Sequence, residues 1–453
     1  MHRRLSMALL LASAAWPQAG DWIATLEFGA SKTRLALHVA AKPRGGFEAA
    51  ADSIDQDAFG LPVAMRVRWR TVQFDVPKLN GRFSGEMSTD GASIEGEWTQ
   101  RGGRLPIRFV RGNIRPQEPA PPYPYRSEQV TCRNGNVRLA GTLTLPPTPG
   151  PHPAVLLITG SGPQDRNETT SGHRPFLVWS DFLTRRGFVT LRLDDRGVGD
   201  STGRLLDSTD EDFARDALAA VNLLKRRKEV DPRRIGLIGH SEGGVVAPLA
   251  ALKSRDVAFI VLLAGPSIPG DQVLFAQGER ISRVMGVPEE LARRNRQIQA
   301  ELFQIVQTEK RSDIARRRME QLLARETASV SPEQAAITRG QVGGQIAMAS
   351  SRWFRFVWTY DPKPALEKMT CPVLALYGSR DLQVPADLDA PVMERALAGN
   401  PRATVTTIDG LNHLFQNAHT GSPMEYAQIE ETVAPKALDT VAEWLAGIGG
   451  VKP

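Results

Sequence analysis

Gly239-His240-Ser241-Glu242-Gly243 is the stretch of this 453-residue chain best equipped by residue type and spacing to do chemistry. A short apolar run, Ile235-Gly236-Leu237-Ile238, precedes it, and a helix-like run over 245–252 follows. A G-x-S-x-G pattern at a strand-to-helix junction puts the serine on a sharp, crowded turn. The glycines let the backbones approach closely and lift Oγ clear of the sheet. A serine hydroxyl is a weak nucleophile at neutral pH, so it needs a base, and the base needs an orienting carboxylate. Ser241 is therefore read as the nucleophile of an acyl transfer, in preference to a merely structural glycine turn.

Where such an elbow is used, the partners follow in the order Ser, Asp or Glu, His. Of the seven histidines only His413 and His419 lie beyond Ser241. His413 sits in Asp409-Gly410-Leu411-Asn412-His413, just after the strand-like Ala403-Thr404-Val405-Thr406-Thr407-Ile408, and is the chosen base; His419, in a surface-like segment, is the runner-up. The apolar Pro372-Val373-Leu374-Ala375-Leu376-Tyr377 breaks at Gly378, and Asp381 follows; it is preferred as the acid over Asp387 and Asp389. A tetrahedral oxyanion also needs N–H donors. Glu242 supplies one from its backbone, and Ser161 or its neighbour Gly162 the other, in the small-residue loop after the strand-like Pro153–Thr159. Asp194-Asp195-Arg196-Gly197-Val198-Gly199 lacks the Lys-Ser/Thr of a phosphate loop and reads as a structural loop beside that face. Cys132 and Cys371 have no His or second Cys at metal spacing, so neither a metal nor an organic cofactor is expected, and their pairing is left open.

Four of these segments in this order, Thr159-Gly160-Ser161-Gly162-Pro163-Gln164-Asp165-Arg166, Asp194–Ser201, Gly239–Gly244 and Gly410-Leu411-Asn412-His413, resemble the α/β-hydrolase superfamily. Within it the chain is similar to exported bacterial two-domain carboxylesterases with an N-terminal β-rich domain. The resemblance implies an α/β-hydrolase fold, a mostly parallel sheet with helices on both faces and a helical cap insertion, plus a small N-terminal all-β domain. It also implies ester hydrolysis through an acyl-enzyme.

The periodicities supply the elements that must position these residues. Residues 21–115 hold short strand-like runs, among them Leu35–Ala40 and Met65–Arg70, separated by turns such as Asn80-Gly81 and Asp90-Gly91, which predicts a small antiparallel barrel or sandwich. That region is expected to bind a ligand, add stability or dimerise, so a homodimer is among the expected assemblies. His38, alone in a strand, is expected to pack. Residues 116–125 are proline-rich and read as a stiff linker. From 126 to 453, a hairpin at Asn134-Gly135 leads into strands alternating with helices. The long stretch 266–370 between two strands has helical spacing and reads as the cap. Its aromatic cluster, with Trp353, Phe354 and Trp358, is the candidate pocket wall.

Hydrophobic content of 41% and charged content of 23% are those of a soluble globular chain. The net charge of +6 is spread over helix ends and solvated faces, so no nucleic-acid partner is expected. Met1-His2-Arg3-Arg4 followed by a short apolar core reads as a signal peptide over 1–20, giving export to the periplasm or beyond, with no stable membrane span. The expectation is an exported serine esterase acting on small-molecule esters. The rivals are a serine peptidase or amidase on the same fold, and a ligand-binding protein whose hydrolase domain is silent.

Overall fold

The computed structural model describes residues 18–28, 31–42, 46–326, 328, 344 and 346–448. The expected signal segment falls largely outside these. The chain divides into two compact units, Met1–Pro116 and Gln117–Pro453.

In the first unit, alternating side chains build a closed eight-stranded barrel: β1 (Gly20–Phe28), β2 (Ser31–Ala41), β3 (Phe47–Ser53), β4 (Ala58–Arg68), β5 (Thr71–Val76), β6 (Gly81–Met87), β7 (Ser93–Gln100) and β8 (Gly103–Arg111). Each strand pairs antiparallel with the next, and β1 meets β8 at Trp22↔Arg111 and Ile23↔Val110, which removes both sheet edges. Val72, Phe74 and Val76 of β5 point inward at every second position, as the pleat requires. They join Trp22, Phe83, Trp98 and Phe109 in an aromatic interior, with Phe74 stacked on Phe83 at 4.9 Å and Phe109 edge-on to Phe83 at 5.3 Å. The run Met65–Arg70 is strand only to Arg68, because Trp69, at φ 56°, turns the chain and lies exposed.

His38 does not pack into this interior. One ring nitrogen bonds Asp21 Oδ1 at 2.7 Å and the other Asp52 Oδ2 at 2.9 Å. The hydrogen bonds to Asp21 and Asp52 raise its pKa to about 9. A histidine raised above its unfolded value stabilises the fold fully below pH ~6.5 and loses that contribution as pH climbs through 9. The ring is 37% exposed, so screening leaves about 1 kcal/mol. Denaturant titration of the barrel should give higher stability at pH 6 than at pH 10, and His38→Gln should remove most of that difference.

In the second unit the sheet runs β16-β15-β14-β13-β11-β12-β10-β9. It comprises β9 (Arg126–Asn134), β10 (Val137–Leu145), β11 (His152–Ile158), β12 (Val189–Leu193), β13 (Val230–His240), β14 (Phe259–Leu263), β15 (Val373–Gly378) and β16 (Ala403–Ile408). The β9–β10 hairpin forms an antiparallel edge, and β12 to β16 run parallel with β11. Every residue of β14 and β15 is buried, as expected for strands covered on both faces. Helix α1 (Pro175–Arg185) packs against β12, while α2 (Asp210–Lys225) and α3 (Gly243–Lys253) pack together against β13. This is the α/β-hydrolase fold. Cys132 in β9 and Cys371 ahead of β15 are free thiols.

Between β14 and β15 the chain forms α4 (Gly270–Val284), α5 (Glu289–Thr308), α6 (Ser312–Glu326), α7 (Arg352–Thr359) and the single turn α8 (Lys363–Leu366). The amphipathic faces of α5 and α6 close on a core of Phe303, Val306, Met319, Leu322 and Trp358. Helices α9 (Ala386–Leu397) and α10 (Pro435–Gly447) complete the unit. Among the described residues no helix is long and apolar enough to cross a membrane.

The proline-rich segment is not a free linker. Gln117 Oε1 accepts from the N–H of Thr432 at 2.6 Å and of Val433 at 2.9 Å, and its Nε2 donates to Val433 O at 2.7 Å. Glu118 accepts from Arg174 N at 2.7 Å and Nε at 2.6 Å. Residues 117–118 thus belong to the second unit and brace the chain ahead of α1 and α10. Gln117→Ala leaves the backbone groups of Thr432 and Val433 unpaired and should cost about 1–3 kcal/mol, read as a lower urea midpoint at unchanged m-value.

Candidate active site

β13 ends at His240 and α3 begins at Gly243, so Ser241 sits on the turn between them with φ 52°. A β-carbon at Gly239 would stand 2.0 Å from Gly243 O, and one at Gly243 would stand 2.3 Å from Ile158 O. Only glycine fits at either place, and this closeness is what makes the turn sharp. Ser241 N donates to Leu263 O at 2.8 Å, and Ser241 O accepts from Gly244 N at 2.8 Å. Left-handed backbone at a serine stores on the order of 1–3 kcal/mol, held by these two bonds.

His413 lies in the loop after β16. Asn412 Oδ1 accepts from Leu414 N at 3.0 Å and Gln416 N at 2.9 Å, which fixes the loop's curve. Asp381 follows β15. Its Oδ1 accepts from Gln383 N at 2.7 Å and Val384 N at 2.9 Å, while Oδ2 is 2.8 Å from His413 Nδ1. With Nδ1–H donating to Asp381, His413 keeps its lone pair on Nε2. His413 and Ser241 line one cavity of about 260 Å³ at the C-terminal edge of the sheet. Asp387 instead pairs with Arg280 at 2.7 Å, and buried Asp389 accepts from Ser267 N at 2.7 Å; His419 is exposed.

Ser161 and Glu242 line the same cavity, and Gly162 lines a smaller neighbouring one of about 70 Å³. Gly160 N donates to Glu168 Oε1 at 2.6 Å and is already used. Among the described residues the N–H groups of Ser161 and Glu242 donate to no backbone acceptor. Asp195 fastens the loop that carries Ser161, accepting from Thr159 Oγ1 at 2.8 Å and Gln164 N at 2.9 Å. Asp194 accepts from Arg166 N at 2.8 Å. The Asp194–Gly199 loop therefore positions the donor loop.

Trp353, Phe354 and Trp358 do not form the cavity wall. Trp358 is buried among Phe303, Phe275 and Phe354 in the helical insertion's own core, and Trp353 donates Nε1–H to Glu242 Oε1 at 2.7 Å. The wall comes instead from Val357 and Tyr360, between and beyond them, with Val273 and Leu274 of α4. At helical spacing the largest rings of a cap face the cap's own core.

Three side chains that the motif pattern did not single out complete the site. His240, buried between the strands, sits 2.8 Å from Glu168 Oε1 through Nδ1 and 2.9 Å from the His413 carbonyl through Nε2. Burial pulls its pKa down, but the Glu168 charge and hydrogen bond outweigh this and raise it. Asp210, at the start of α2, lines the cavity beside Glu242. The only sequence signal for His240 was its place inside G-x-S-x-G; Glu168 and Asp210 had none.

Among known proteins, Esterase EstD of Thermotoga maritima is 26% identical over 325 residues, covering 72% of this chain and 68% of its own. Putative hydrolase YtaP of Bacillus subtilis is 32% identical over 116 residues, covering 22% of this chain and 39% of its own. The solved Pyrococcus furiosus esterase Pf2001 aligns with 71% of this chain and 91% of its own at 17% identity, with a TM-score of 0.44. The alpha/beta hydrolase family profile matches residues 155–429, more than half of the chain and the whole stretch from β11 past His413. The protein belongs to the alpha/beta hydrolase family.

Proposed function

We propose that the protein is a serine esterase that cleaves carboxylic esters through an acyl-enzyme, with Ser241, His413 and Asp381 as its triad. The observation that carries this is one cavity lined by an elbow serine and a histidine whose far nitrogen is tied to a buried aspartate. The similarity to Esterase EstD over most of the chain supports the ester class.

Ser241 Oγ attacks the ester carbonyl carbon as its proton moves to His413 Nε2. The carbonyl oxygen becomes an oxyanion facing the N–H groups of Glu242 and Ser161. As the intermediate collapses, the C–O bond to the alcohol breaks and His413 returns its proton to the leaving oxygen. Water, deprotonated by His413, then attacks the acyl-serine, and the second collapse frees the acid and restores the serine. Asp381 holds the imidazole in the tautomer with hydrogen on Nδ1 throughout. Glu168 acts as a positioning residue: one oxygen holds both Gly160 N and His240, and His240 in turn meets the His413 carbonyl.

Ser241→Ala should abolish 4-nitrophenyl acetate turnover and fluorophosphonate labelling with little change in Tm. Asp381→Asn should retain the fold and lower kcat on the order of 10⁴-fold, while Asp387→Asn should not. Persisting turnover in purified Ser241→Ala would overturn the assignment, and preference for aminoacyl 4-nitroanilides over esters would move the enzyme to the peptidases. For Glu168→Ala, a shift of the base by about 1 Å should cost kcat about 10²-fold, with KM little changed. A change confined to Tm would reduce Glu168 to a structural residue.

A further inference from the structure

Two carboxyls in the cavity are unused by ester hydrolysis itself. Asp210 is the first residue of α2, fixed there by the capping box of Thr209 and Asp212. Glu242 directly follows the nucleophile. Both are buried, at 1% and 6% exposure, and their carboxyls meet as a hydrogen-bonded pair. Trp353 donates to Glu242 Oε1 and the Ser161 side chain also bonds the Glu242 carboxyl, but among the described residues no amide, guanidinium or hydroxyl group donates to buried Asp210 Oδ1. Nor do the described residues lining the cavity include a Lys or Arg that could balance a negative charge there.

Burial pushes the Asp210 carboxyl well above its ordinary range and Glu242 upward as well, and each like-charged neighbour adds to the effect on Asp210. Two buried carboxyls in hydrogen-bond contact resist carrying two negative charges at once. A buried charge of this kind is normally paired. Here the open direction is the cavity, toward which Asp210 and Glu242 stand with Ser241. Val273, Leu274 and Val357 supply apolar wall for an alkyl stem.

We propose that the Asp210–Glu242 pair is a subsite for a protonated amino group, so that the preferred substrates are esters bearing a primary or secondary ammonium. The proposal rests on the serine-esterase reading and names its substrate class. An ammonium in the cavity would donate to the carboxyl pair where it lines the wall, and its charge would draw the pair to its singly ionised form. A carboxylate in the same place would meet like charge.

The test compares three 4-nitrophenyl esters of matched length at pH 7: 6-aminohexanoate (cationic), heptanoate (neutral) and hydrogen adipate (anionic). Rates are taken per fluorophosphonate-labelled serine in the full-length protein. The cationic ester should exceed the neutral one in kcat/KM by about tenfold or more, with the anionic ester last. Asp210→Asn and Glu242→Gln should each bring the cation-to-neutral ratio close to one. Because the ratio is taken within one protein, a variant with a reduced folded fraction still reports it. Calorimetry with n-butylammonium chloride against 1-butanol reads the subsite without turnover, and the ammonium should bind more tightly. Equal rates for the cationic and neutral esters, preference for the anionic ester, or a ratio unchanged in both variants would overturn the proposal. Failure of the esterase reading looks different: no turnover of any ester and no labelled Ser241, while butylammonium binding still decides the subsite.

Discussion

The candidate active site depends on how closely the β13–α3 turn approaches the end of β11. Gly243 lies against the Ile158 carbonyl, and Gly239 against Gly243, at distances that leave no room for a side chain. That closeness has two consequences. It holds Ser241 in left-handed backbone on the cavity wall, and it brings the Thr159–Ser161 loop beside the serine. Catalytic electrostatics of this kind need donors in place before charge develops. The surrounding polar bonds maintain that arrangement. Asp195 pins Thr159 and Gln164, Glu168 takes the Gly160 N–H, and Asp194 takes the Arg166 N–H. These bonds join the loops after β11 and β12, His240 at the end of β13 links Glu168 to the His413 carbonyl in the loop after β16, and the sheet sets the distances between them.

What was legible in the sequence follows from which constraints are local. The elbow is local: its glycines, flanking strand and helix occur within twenty residues, so Ser241 could be singled out directly. Asp381 and His413 needed only chain order and a strand end before each, and the structure brings them within 2.8 Å of each other. Asp387 and Asp389 looked similar in sequence, and what separates them is tertiary: one faces Arg280 and the other caps the backbone at Ser267. The pocket wall was not legible, because Trp353, Phe354, Val357, Trp358 and Tyr360 share one short helix and its end. Which of its faces meets the cavity depends on α4 and α5, far away in the chain. Ring size was no guide here, since Phe354 and Trp358 went to the insertion's own core, Trp353 to Glu242, and Val357 and Tyr360 to the cavity.

The barrel shows the same division. Alternation in Met65–Arg70 and the turns at Asn80-Gly81 and Asp90-Gly91 marked antiparallel strands, but β3, Phe-Glu-Ala-Ala-Ala-Asp-Ser, carries three alanines that favour helix. It is a strand because β2 and β4 pair with it on both sides and the closed barrel leaves no alternative partner. The proline-rich segment misled for another reason. Proline predicts an extended backbone correctly but says nothing of what that backbone touches, and Gln117 and Glu118 supply side-chain bonds that tie it to residues more than three hundred and about fifty positions away.

The position of Glu242 carries a cost that bears on how the site works. Its backbone N–H is offered to the oxyanion, while its side chain brings a carboxyl into the same cavity. Two like unit charges roughly 8 Å apart repel by about 2 kcal/mol at an effective dielectric of ~20, enough to slow acyl transfer more than tenfold. Three features oppose this. The Asp210 carboxyl is hydrogen-bonded to that of Glu242, Trp353 donates to Oε1, and Asp210 itself stands at the N-terminus of α2. None of them supplies a full positive charge. A cation carried by the substrate would, and the benefit would be larger in the transition state, where the oxyanion has formed, than in the ground state, where the carbonyl is neutral. An interaction that strengthens along the reaction coordinate raises kcat as well as binding. The carboxyl pair would then belong to the electrostatics of the reaction as much as to recognition, because a substrate ammonium held there would offset the negative charge it induces on the pair while the oxyanion forms.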